Sequence, residues 1–461
     1  MADRLDEYRR KRDSARTPEP VPAGPPARGR NDTFVIQQHH ARRLHWDLRL
    51  ERDGVLVSWA VPRGIPRDPG RNHLAVHTED HPLEYLDFHG EIPAGEYGGG
   101  RMTVYDRGTY QTEKWRDDEV IVVLHGERAR GRYVLFQTSG KDWMIHRMDP
   151  PEPGWTPMPE LVRPMRATPA GELPAPDDEW AYELAWDGLR AVAHVSGGRL
   201  RLVSHDRDVT SGYPELRALA EQLAPTECVL DGMVVAFDGS GRVSRTALRS
   251  RTGVTETASV RRQASRVPVH YLVFDLLWLD GQSTVDMPYT DRRDLLDGLG
   301  LAGSHWQVPP YYPAGGAEAL ATSRSMGLPG VVAKRPGSPY HAGERSADWL
   351  AVTPAPEYQP VVVVGWRPGA HPDTVGALLL AEPGDGGRLR YAGQVTTGLA
   401  GEDGLHAKLR RLQRRTPPAE GVPPAQAESA VWVSPTLTGE VAADGRTRDG
   451  RLRRPRWRGL R

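Results

Sequence analysis

Residues 34–51 have the sequence FVIQQHHARRLHWDLRLE, which predicts the end of one β-strand, a short turn and a longer second strand. From His45 onward polar and apolar residues alternate, so that His45, Asp47 and Arg49 occupy every second position. Successive side chains of a strand point to opposite faces of the sheet. The pattern therefore predicts a row of imidazole, carboxylate and guanidinium groups on one face, with leucine and tryptophan side chains on the other.

This polar row has the chemistry of a metal and phosphate site if the turn brings His39, six residues before His45, beside it. Two imidazoles and a carboxylate can hold a divalent metal ion. An adjacent arginine suits phosphate oxygens, because its planar guanidinium can donate two parallel hydrogen bonds. The alternative is a solvated strand face that carries these residue types by chance. The coincidence of four suitable residues favours the functional interpretation.

Length and composition indicate several domains and give no charge-based indication of a partner. At ~150 residues per domain, the 461 residues suggest about three domains. There are 60 basic and 60 acidic residues, so the net charge excludes no class of partner. Nearly all the bases are arginine, which stays protonated and cannot act as an amine nucleophile. That role is left to five lysines: Lys11, Lys114, Lys141, Lys334 and Lys408.

The cysteine content and the hydropathy pattern predict a cytoplasmic protein. Cys228 is the single cysteine, so no internal disulfide can form, which fits a reducing compartment. The first residues are charged, and no apolar run approaches the ~18 residues of a membrane span. We therefore expect no membrane partner.

The N-terminal part of the chain predicts an arm, a small β-barrel and a linker. Residues 1–32 are charged and rich in proline, and we expect a solvated arm, although Arg12, Asp13 and Glu19 could fold back on a neighbouring site. Residues 33–150 contain many short strand-like segments separated by turn residues, which is typical of a small β-barrel. Residues 151–178 are rich in proline and predict a linker.

The remaining sequence predicts two further domains. Residues 179–355 mix strands with helical segments, which indicates an α+β domain. Residues 356–461 contain several strands and a helix, and we expect an OB-fold β-barrel. The chain ends in an arginine-rich tail, RTRDGRLRRPRWRGLR, at 446–461. This tail suits contacts with a phosphate backbone, and a solubilising tail is the alternative.

Four motifs of the first domain resemble the 3′-phosphoesterase domain of bacterial DNA ligase D, a family of non-homologous end joining. They are FVIQQHHARRLHWDLRLE (34–51), SWAVPRG (58–64), LAVHTEDHPLEY (74–85) and IPAGEYGGG (92–100). The resemblance implies a Mn²⁺-dependent enzyme that removes a terminal ribonucleoside, and then the remaining 3′-phosphate, from primer–template ends. It implies metal ligands at His39, His45 and Asp47, and phosphate contacts at Arg49, Arg63, His81 and Tyr85.

Two positions in or next to these motifs depart from the family, and a third, His81, suggests a catalytic role. Arg63 stands where the family often has lysine, and His73 stands where arginine is common. A histidine that is not a metal ligand can protonate the leaving oxygen of a phosphoester. We expect His81 to be this acid, within a catalytic set of His39, His45, Asp47, Arg49, His81 and Tyr85.

Residues 180–461 resemble the nucleotidyltransferase and OB domains of an ATP-dependent DNA ligase, with losses at the nucleotide site. In ELAWDGLR (183–190), Ala185 occupies the position of the lysine that accepts AMP in the family. Two expected glutamates are replaced by Met233 and Pro329, and two expected lysines by Ala351 and Thr353. The retained residues of this vestigial site are Asp187, Arg190, Arg207, Phe274 and Lys334.

We therefore expect an end-healing 3′-phosphoesterase with a degenerate ligase module. Adenylation of lysine needs an amine that can lose its proton, and Ala185 has none. ATP should not be used catalytically, and the cofactor should be Mn²⁺ or another divalent metal. The expected partner is a DNA 3′ end in a nucleoid-associated location, with Ku, a separate polymerase and an intact ligase as further candidates. The alternatives are an active ATP-dependent DNA ligase and a non-catalytic repair scaffold.

Overall fold

The protein forms two compact units. The computed structural model describes residues 3–24, 29–151, 153–254, 256–353, 357–369, 371, 373–399, 404–443, 445–447 and 449–461. The first unit comprises Met1–Pro169, Pro174–Gly316 and Val332–Ala351, and the second comprises Ala170–Leu173, Ala317–Val331 and Val352–Arg461. None of the described helices is long and apolar enough to cross a membrane.

The first unit begins with a short helix and a closed β-barrel. Helix α1 (Asp6–Arg10) precedes ten strands: β1 (Thr33–His40), β2 (Leu44–Arg52), β3 (Val55–Val61), β4 (His73–His77), β5 (His81–Pro82), β6 (Gly90–Ile92), β7 (Gly100–Trp115), β8 (Glu119–Gly126), β9 (Arg130–Ser139) and β10 (Asp142–Arg147). Eight of them close in the order β1-β2-β3-β4-β10-β9-β8-β7, because β7 pairs back with β1. The predicted β-barrel is confirmed.

The alternation in β2 separates an apolar face from a polar one, as the sequence predicts. Trp46, Leu48 and Leu50 are at most 2% exposed and belong to the barrel core. Asp47 and Arg49, at the intervening positions, point to the opposite face. They are also buried, at 5% and 3% exposure, so this face is covered rather than solvated.

The N-terminal arm packs against the barrel, and its interpretation as a solvated segment was wrong for the described residues 3–24. Leu5 and Tyr8 are at most 1% exposed, and Glu19 is 4% exposed. The Tyr8 ring belongs to a small apolar cluster with Leu56 and Tyr85. Residues 25–28, in the proline-rich part of the predicted arm, lie outside the described residues.

The predicted linker at 151–178 contributes to the next domain. Its strand β11 (Arg166–Ala170) belongs to a four-stranded sheet, and Met165 is fully buried in an apolar cluster with Trp278 and Trp349. Burial of an apolar side chain of this size stabilises a fold by about 1.5–3 kcal/mol. This segment is therefore structural as well as connecting, apart from residue 152, which lies outside the described residues.

The ligase-like domain is built on an eight-stranded antiparallel sheet and the four-stranded sheet. Its further elements are β12 (Ala181–Ala185), β13 (Leu189–Ser196), β14 (Arg199–Ser204), β15 (Arg207–Asp208), α2 (Ala218–Leu223), β16 (Cys228–Ala236), α3 (Arg245–Arg249), α4 (Thr257–Arg266), β17 (Val269–Leu279), β18 (Gln282–Ser283), α5 (Tyr289–Gly298), β19 (Ala302–Gly303), β20 (Trp306–Gln307), α6 (Gly316–Met326), β21 (Gly330–Lys334) and β22 (Arg345–Val352). The larger sheet has the order β15-β14-β13-β16-β17-β20-β19, with β18 on β17, and the smaller has the order β11-β22-β21-β12. In the larger sheet, the short pairing of β17 with β20 is parallel rather than antiparallel.

A fully buried ion pair joins β17 to α5. The Arg292 guanidinium donates to both carboxylate oxygens of Asp275, with Nε–Oδ1 at 2.7 Å and Nη2–Oδ2 at 3.1 Å. Both residues are 0% exposed. The remaining Nη1 donates to the backbone oxygens of Met287 and Ser338, so the guanidinium is held from several sides.

Replacing Asp275 by alanine should destabilise this domain strongly. The change leaves the buried Arg292 charge without its carboxylate, and breaking a buried pair in this way costs about 3–5 kcal/mol. We expect a loss of that size in the free energy of unfolding, measured by denaturant titration. The matched control is Asp294→Ala on the exposed side of α5, expected to change stability by less than about 0.5 kcal/mol. Equal stabilities for the two variants would contradict the importance of the pair.

The second unit ends in an eight-stranded β-sheet that fits the predicted OB-fold. Its elements are β23 (Glu357–Pro368), β24 (Val375–Pro383), β25 (Leu389–Val395), α7 (Leu405–Arg411), β26 (Gln413–Arg414), β27 (Ala419–Glu420), α8 (Pro424–Ala427), β28 (Val431–Val433), β29 (Thr438–Ala443) and β30 (Arg456–Leu460). The order is β26-β28-β23-β24-β25-β27, while β29 pairs with β23 and β30. The predicted limit between domains at 355/356 lies outside the described residues.

Part of the arginine-rich tail forms a strand of this sheet. Strand β30 pairs with β29, and the Trp457 side chain is 5% exposed within the apolar core. Arg458 forms an ion pair of 3.0 Å with Glu440. The segment predicted as an arginine-rich tail therefore forms a strand over residues 456–460, whereas Arg448 lies outside the described residues. Trp457 explains the difference, because a buried tryptophan anchors the segment.

Candidate metal centre and phosphate site

Three predicted ligands meet where β1 and β2 pair. The antiparallel register places His39 directly opposite His45 and Gln37 opposite Asp47. One ligand atom from each of His39, His45 and Asp47 lies within 4.8 Å of the others. His39 Nδ1 is 3.8 Å from Asp47 Oδ2, and His45 Nε2 is 3.6 Å from Asp47 Oδ1. The predicted set is therefore brought together.

Two backbone carbonyls select the histidine tautomers that a metal ion needs. His39 Nε2 lies 2.8 Å from the Gly98 oxygen and donates to it, which leaves the Nδ1 lone pair free. His45 Nδ1 lies 2.9 Å from the Arg43 oxygen, which leaves Nε2 free. Burial also lowers the pKa of His39 and favours its neutral form. Two oriented imidazoles, each with one ring nitrogen facing the site, together with a carboxylate suit a divalent transition metal, so these residues fit one.

Arg49 is held rigidly beside this centre. Its Nη2 donates to Asp47 Oδ2 at 2.9 Å, its Nε to Gln37 Oε1 at 2.7 Å and its Nη1 to Ser58 Oγ at 2.9 Å. The guanidinium carbon also lies 4.7 Å from the centre of the Tyr85 ring. Sequence reasoning missed Gln37, although the hairpin register opposite Asp47 was a signal that could have found it.

The N-terminal arm supplies a second guanidinium, from Arg12. Its Nε lies 2.8 Å from Glu19 Oε1, its Nη1 3.0 Å from Glu79 Oε1 and its Nη2 3.3 Å from His81 Nε2. The side chain of Arg12 is 4% exposed. The possibility that Arg12 and Glu19 fold back on a site is therefore realised, and Glu79 is a further residue that the sequence did not indicate.

His81 and Tyr85 are both uncharged groups in this network. His81 Nδ1 donates to the Glu79 oxygen at 2.8 Å, so Nε2 is an acceptor facing Arg12. Burial, followed by the charges of Arg49 and Arg12, holds the pKa of His81 well below its usual value. The Tyr85 hydroxyl donates to Glu19 Oε1 at 2.7 Å, and burial raises its pKa.

The six predicted catalytic residues line one cavity of about 170 Å³. The same cavity is also lined by Arg12 and Glu19 of the arm and by Glu79, the barrel residue that pairs with Arg12. It therefore combines a metal-binding set and two guanidinium groups with an uncharged imidazole and an uncharged phenol. Such an arrangement can bind a phosphate ester and stabilise charge that develops on its oxygens.

Three other predicted or considered residues lie outside this network. Asp13 accepts a hydrogen bond from the Ala15 amide within its own turn. Arg63 is exposed and lines a separate cavity that it shares with His45. His73 Nδ1 donates to the Gly64 oxygen at 2.7 Å, and burial lowers the pKa of His73. A neutral His73 does not replace the charge of the arginine common at this position.

In the ligase-like domain, Lys334 lies in an aromatic cage. Its Nζ is 4.1 Å from the ring centre of Trp349, 4.7 Å from Tyr289 and 5.0 Å from Phe274. It also forms an ion pair of 2.9 Å with Glu183. Burial lowers the pKa of the Lys334 amine, and the Glu183 charge opposes that shift.

Arg190 covers the ring that was expected to stack on a base. Its guanidinium lies 4.5 Å from the ring centre of Phe274 and is bound to both carboxylate oxygens of Asp231. Phe274 is 7% exposed. Thus three of the five predicted vestigial residues, Arg190, Phe274 and Lys334, lie together, and the sequence missed Glu183, Asp231 and Trp349 among their partners.

The other two vestigial residues are bound elsewhere or exposed. Asp187 accepts a hydrogen bond of 2.8 Å from Arg245 Nε. Arg207 is exposed and lies on the short edge strand β15. Neither residue contributes to the cage around Lys334.

Comparison with known families agrees with this division of the chain. Residues 37–137 match the family model of the DNA Ligase D 3′-phosphoesterase domain, and residues 160–352 match that of the ATP dependent DNA ligase domain. Residues 371–461 match the ATP dependent DNA ligase C terminal region. The fold and these matches define a barrel of the 3′-phosphoesterase domain family joined to a ligase-like module.

Whole-chain relatives identify the family. The chain is 44% identical to the Multifunctional non-homologous end joining protein LigD of Mycolicibacterium smegmatis and 34% identical to that of Pseudomonas aeruginosa, over 100% and 99% of its length. It belongs to the DNA ligase D family. The chain spans 60% of the length of each of these relatives. Among solved structures, it is similar to the ligase domain of M. tuberculosis LigD, with 40% identity over 65% of this chain and 95% of that one and a TM-score of 0.39.

Proposed function

We propose that the barrel is a metal-dependent 3′-phosphoesterase that heals DNA ends during double-strand break repair by non-homologous end joining. Its substrates are primer–template ends, from which it removes a 3′-terminal ribonucleoside and then the 3′-phosphate. The observation that carries the proposal is the single cavity lined by His39, His45, Asp47, Arg49, His81 and Tyr85. A non-catalytic scaffold would not need neutral, oriented histidines beside two buried arginines.

The metal in this proposal is Mn²⁺, held by His39, His45 and Asp47. When bound, it supplies Lewis-acid stabilisation of the phosphoryl oxygens. Arg49 contributes a fixed positive charge next to Asp47, where charge on the equatorial oxygens develops. Because Gln37 and Ser58 hold Arg49 in place, little reorganisation is needed when the phosphate arrives. Arg63, on the neighbouring cavity, contacts a phosphate farther from the reacting bond.

His81 acts at its Nε2 atom, since Nδ1 is occupied by the Glu79 oxygen. The free protein holds His81 neutral, because burial and the nearby arginines lower its pKa. A phosphate bound in the cavity brings negative charge, which raises the pKa of a neighbouring imidazole. In this proposal the bound phosphate favours protonation of His81 from solvent, and His81 then protonates the leaving oxygen as a water molecule attacks the phosphorus. The Tyr85 hydroxyl, which donates to Glu19 in the free protein, turns to donate its hydrogen bond to a phosphoryl oxygen.

A gel assay on a labelled primer–template tests the activity directly. The primer ends either in a ribonucleotide or in a 3′-phosphate, and wild-type and His45→Ala proteins are incubated with Mn²⁺. We expect conversion of both ends to a 3′-hydroxyl by the wild type only, because His45→Ala removes one metal ligand. Absence of conversion by the wild type would favour the scaffold alternative. Equal conversion by both proteins would assign the activity to another site.

Replacing His81 by alanine tests the acid role. General acid catalysis contributes about 10²- to 10⁴-fold, so turnover of a 3′-ribonucleoside end should fall by a factor in this range. The control is His89→Ala, because His89 is exposed and its ring bonds, within the described part of the chain, to the Asp87 oxygen of its own turn. Melting temperatures of both variants report on folding. Full turnover by His81→Ala would remove His81 from the mechanism.

We propose that the ligase-like module binds DNA without forming an enzyme–adenylate. Ala185 lacks the amine, and Lys334 is held in its aromatic cage by Glu183. ATP is then not a catalytic cofactor. Ku, a separate polymerase and an intact ligase are the proposed partners that complete repair. An active ATP-dependent ligase is the second candidate function, and the matches of residues 160–352 and 371–461 to ligase family models favour it.

A further inference from the structure

A hairpin of the ligase-like domain lies against the barrel next to the metal centre. Strands β13 and β14 pair up to Ser196 opposite Arg199, joined by Gly197 and Gly198. Both glycines have positive φ, +54° and +65°, as a tight two-residue hairpin turn requires. A Cβ at Gly197 would lie 2.9 Å from Arg63 Cα, and one at Gly198 would collide with the Leu44 side chain. The hairpin tip therefore closely approaches the start of β2.

This approach creates a cavity of about 610 Å³ that both domains line. His45 of the metal centre is on its wall, together with Arg43 and Arg63 of the barrel and Arg199 of the hairpin. The rest of the lining is Leu44, Ala60, Pro62, Asn72, Leu74, Val76 and Met144, which includes no carboxylate. Among these, Leu74 is 38% exposed. The cavity therefore combines positive charge with an apolar floor.

The three arginines lack compensating partners. Arg43, Arg63 and Arg199 are exposed, and among the residues that the structure describes none of their side chains makes an ion pair or a hydrogen bond. Arg71, by contrast, pairs with Asp68 at 3.5 Å and with Glu160 at 3.6 Å. In a chain with 60 basic and 60 acidic residues, uncompensated arginines around one cavity mark a local site for an anion.

We propose that Arg199 of the ligase-like hairpin forms part of the barrel's DNA-binding surface, where it holds the phosphate backbone of the strand that leads to the 3′ end. This inference rests on the proposed function of the barrel. A strand whose 3′ end reaches His45 must place its preceding phosphates beside that residue, and Arg43, Arg63 and Arg199 surround this space. The apolar floor suits sugars and base faces. The ligase-like module thus contributes to the substrate site of another domain.

The first test measures binding without chemistry. The full chain, free of metal, is titrated against a fluorescent primer–template with an unreactive 3′-hydroxyl, at several KCl concentrations. Arg199→Ala should weaken binding several-fold and reduce the slope of log K against log salt by about 1, because one phosphate contact is lost. Arg199→Lys should restore most of the slope, because the charge is kept. Arg266→Ala is the control, since Arg266 is an exposed arginine of α4 outside this cavity.

An unchanged affinity and salt slope for Arg199→Ala would overturn the proposal. So would an equal loss for Arg266→Ala, because the effect would then reflect general charge rather than this site. Binding is measured without turnover, so it remains informative even if the barrel hydrolyses no 3′-phosphate. That outcome would refute the proposed function, whereas the binding data would still decide whether Arg199 contacts DNA.

The second test separates DNA positioning from the integrity of the catalytic site. With Mn²⁺, a nucleoside 3′-monophosphate is too short to reach Arg199, so wild-type and Arg199→Ala proteins should hydrolyse it equally. For a primer–template with a 3′-phosphate, Arg199→Ala should raise KM several-fold and leave kcat unchanged. Loss of activity on the short substrate as well would show that Arg199 supports the fold of the site, and would overturn its assignment as a DNA contact.

Discussion

Replacing Asp47 by alanine is expected to abolish phosphoesterase activity and to destabilise the barrel. Asp47 is a ligand of the proposed metal and also accepts a hydrogen bond from Arg49, which is 3% exposed. Without Asp47 the buried guanidinium loses its carboxylate, although Gln37 and Ser58 remain as acceptors. Breaking a buried ion pair costs about 3–5 kcal/mol, and we expect a loss toward the lower end of this range in denaturant titrations.

Asp47→Asn separates the two effects. The amide keeps the shape and an oxygen that can accept from Arg49, so stability should recover toward the wild-type value. The negative charge is lost, and Mn²⁺ binding, measured by calorimetry, should remain impaired together with turnover. Asp117→Ala, at an exposed turn, serves as the control and should leave Mn²⁺ binding, turnover and stability unchanged. Wild-type turnover by Asp47→Ala would contradict the metal assignment.

The second large effect is the absence of an enzyme–adenylate. Incubation of the wild-type chain with labelled ATP and Mg²⁺ or Mn²⁺ should give no covalent label, whereas an intact ATP-dependent DNA ligase under the same conditions is labelled. The reason is Ala185, which replaces the lysine nucleophile. The Lys334 amine lies between aromatic rings and beside Glu183, in a pocket where Arg190 already covers Phe274.

Restoring a lysine alone should not restore the reaction. Ala185→Lys supplies an amine, but four further family positions remain changed: Met233, Pro329, Ala351 and Thr353. We therefore expect labelling of Ala185→Lys to stay at least about 10²-fold below that of the intact ligase, since missing transition-state contacts cost factors of this size. A label on the wild-type chain that maps to Lys334 would establish the active-ligase alternative, with the lowered pKa of that amine as its cause.

The parts of the fold and site that were predictable from sequence depend on local patterns. The two-residue alternation of β2 separates Leu48 from Asp47 and Arg49 over a few positions, and it indicated both the sheet face and the polar row. His39 and His45 are also close in sequence, because a single short turn separates the two strands that carry them. Strand spacing likewise indicated a barrel before any pairing was known.

The parts that were not predictable depend on contacts between distant residues. Arg12 and Glu79 are 67 positions apart, and Lys334 and Glu183 are farther apart still. The proline-rich composition of the arm and of the predicted linker indicated solvated segments, yet Tyr8 and Met165 are buried. Composition describes how a segment behaves alone, whereas these side chains are buried by surfaces that other parts of the chain provide.

The carbonyl group of Arg43 makes the orientation of His45 robust to mutation, whereas Gly98 has a φ of +76°, which favours glycine. Most metal sites that use carboxylate side chains to orient their histidines can lose that support through one codon change. Here the acceptors belong to the main chain, which every amino acid possesses, so a side-chain replacement at Arg43 leaves the bond to His45 intact. Side-chain changes at Arg43 can therefore accumulate without changing which nitrogen of His45 is available.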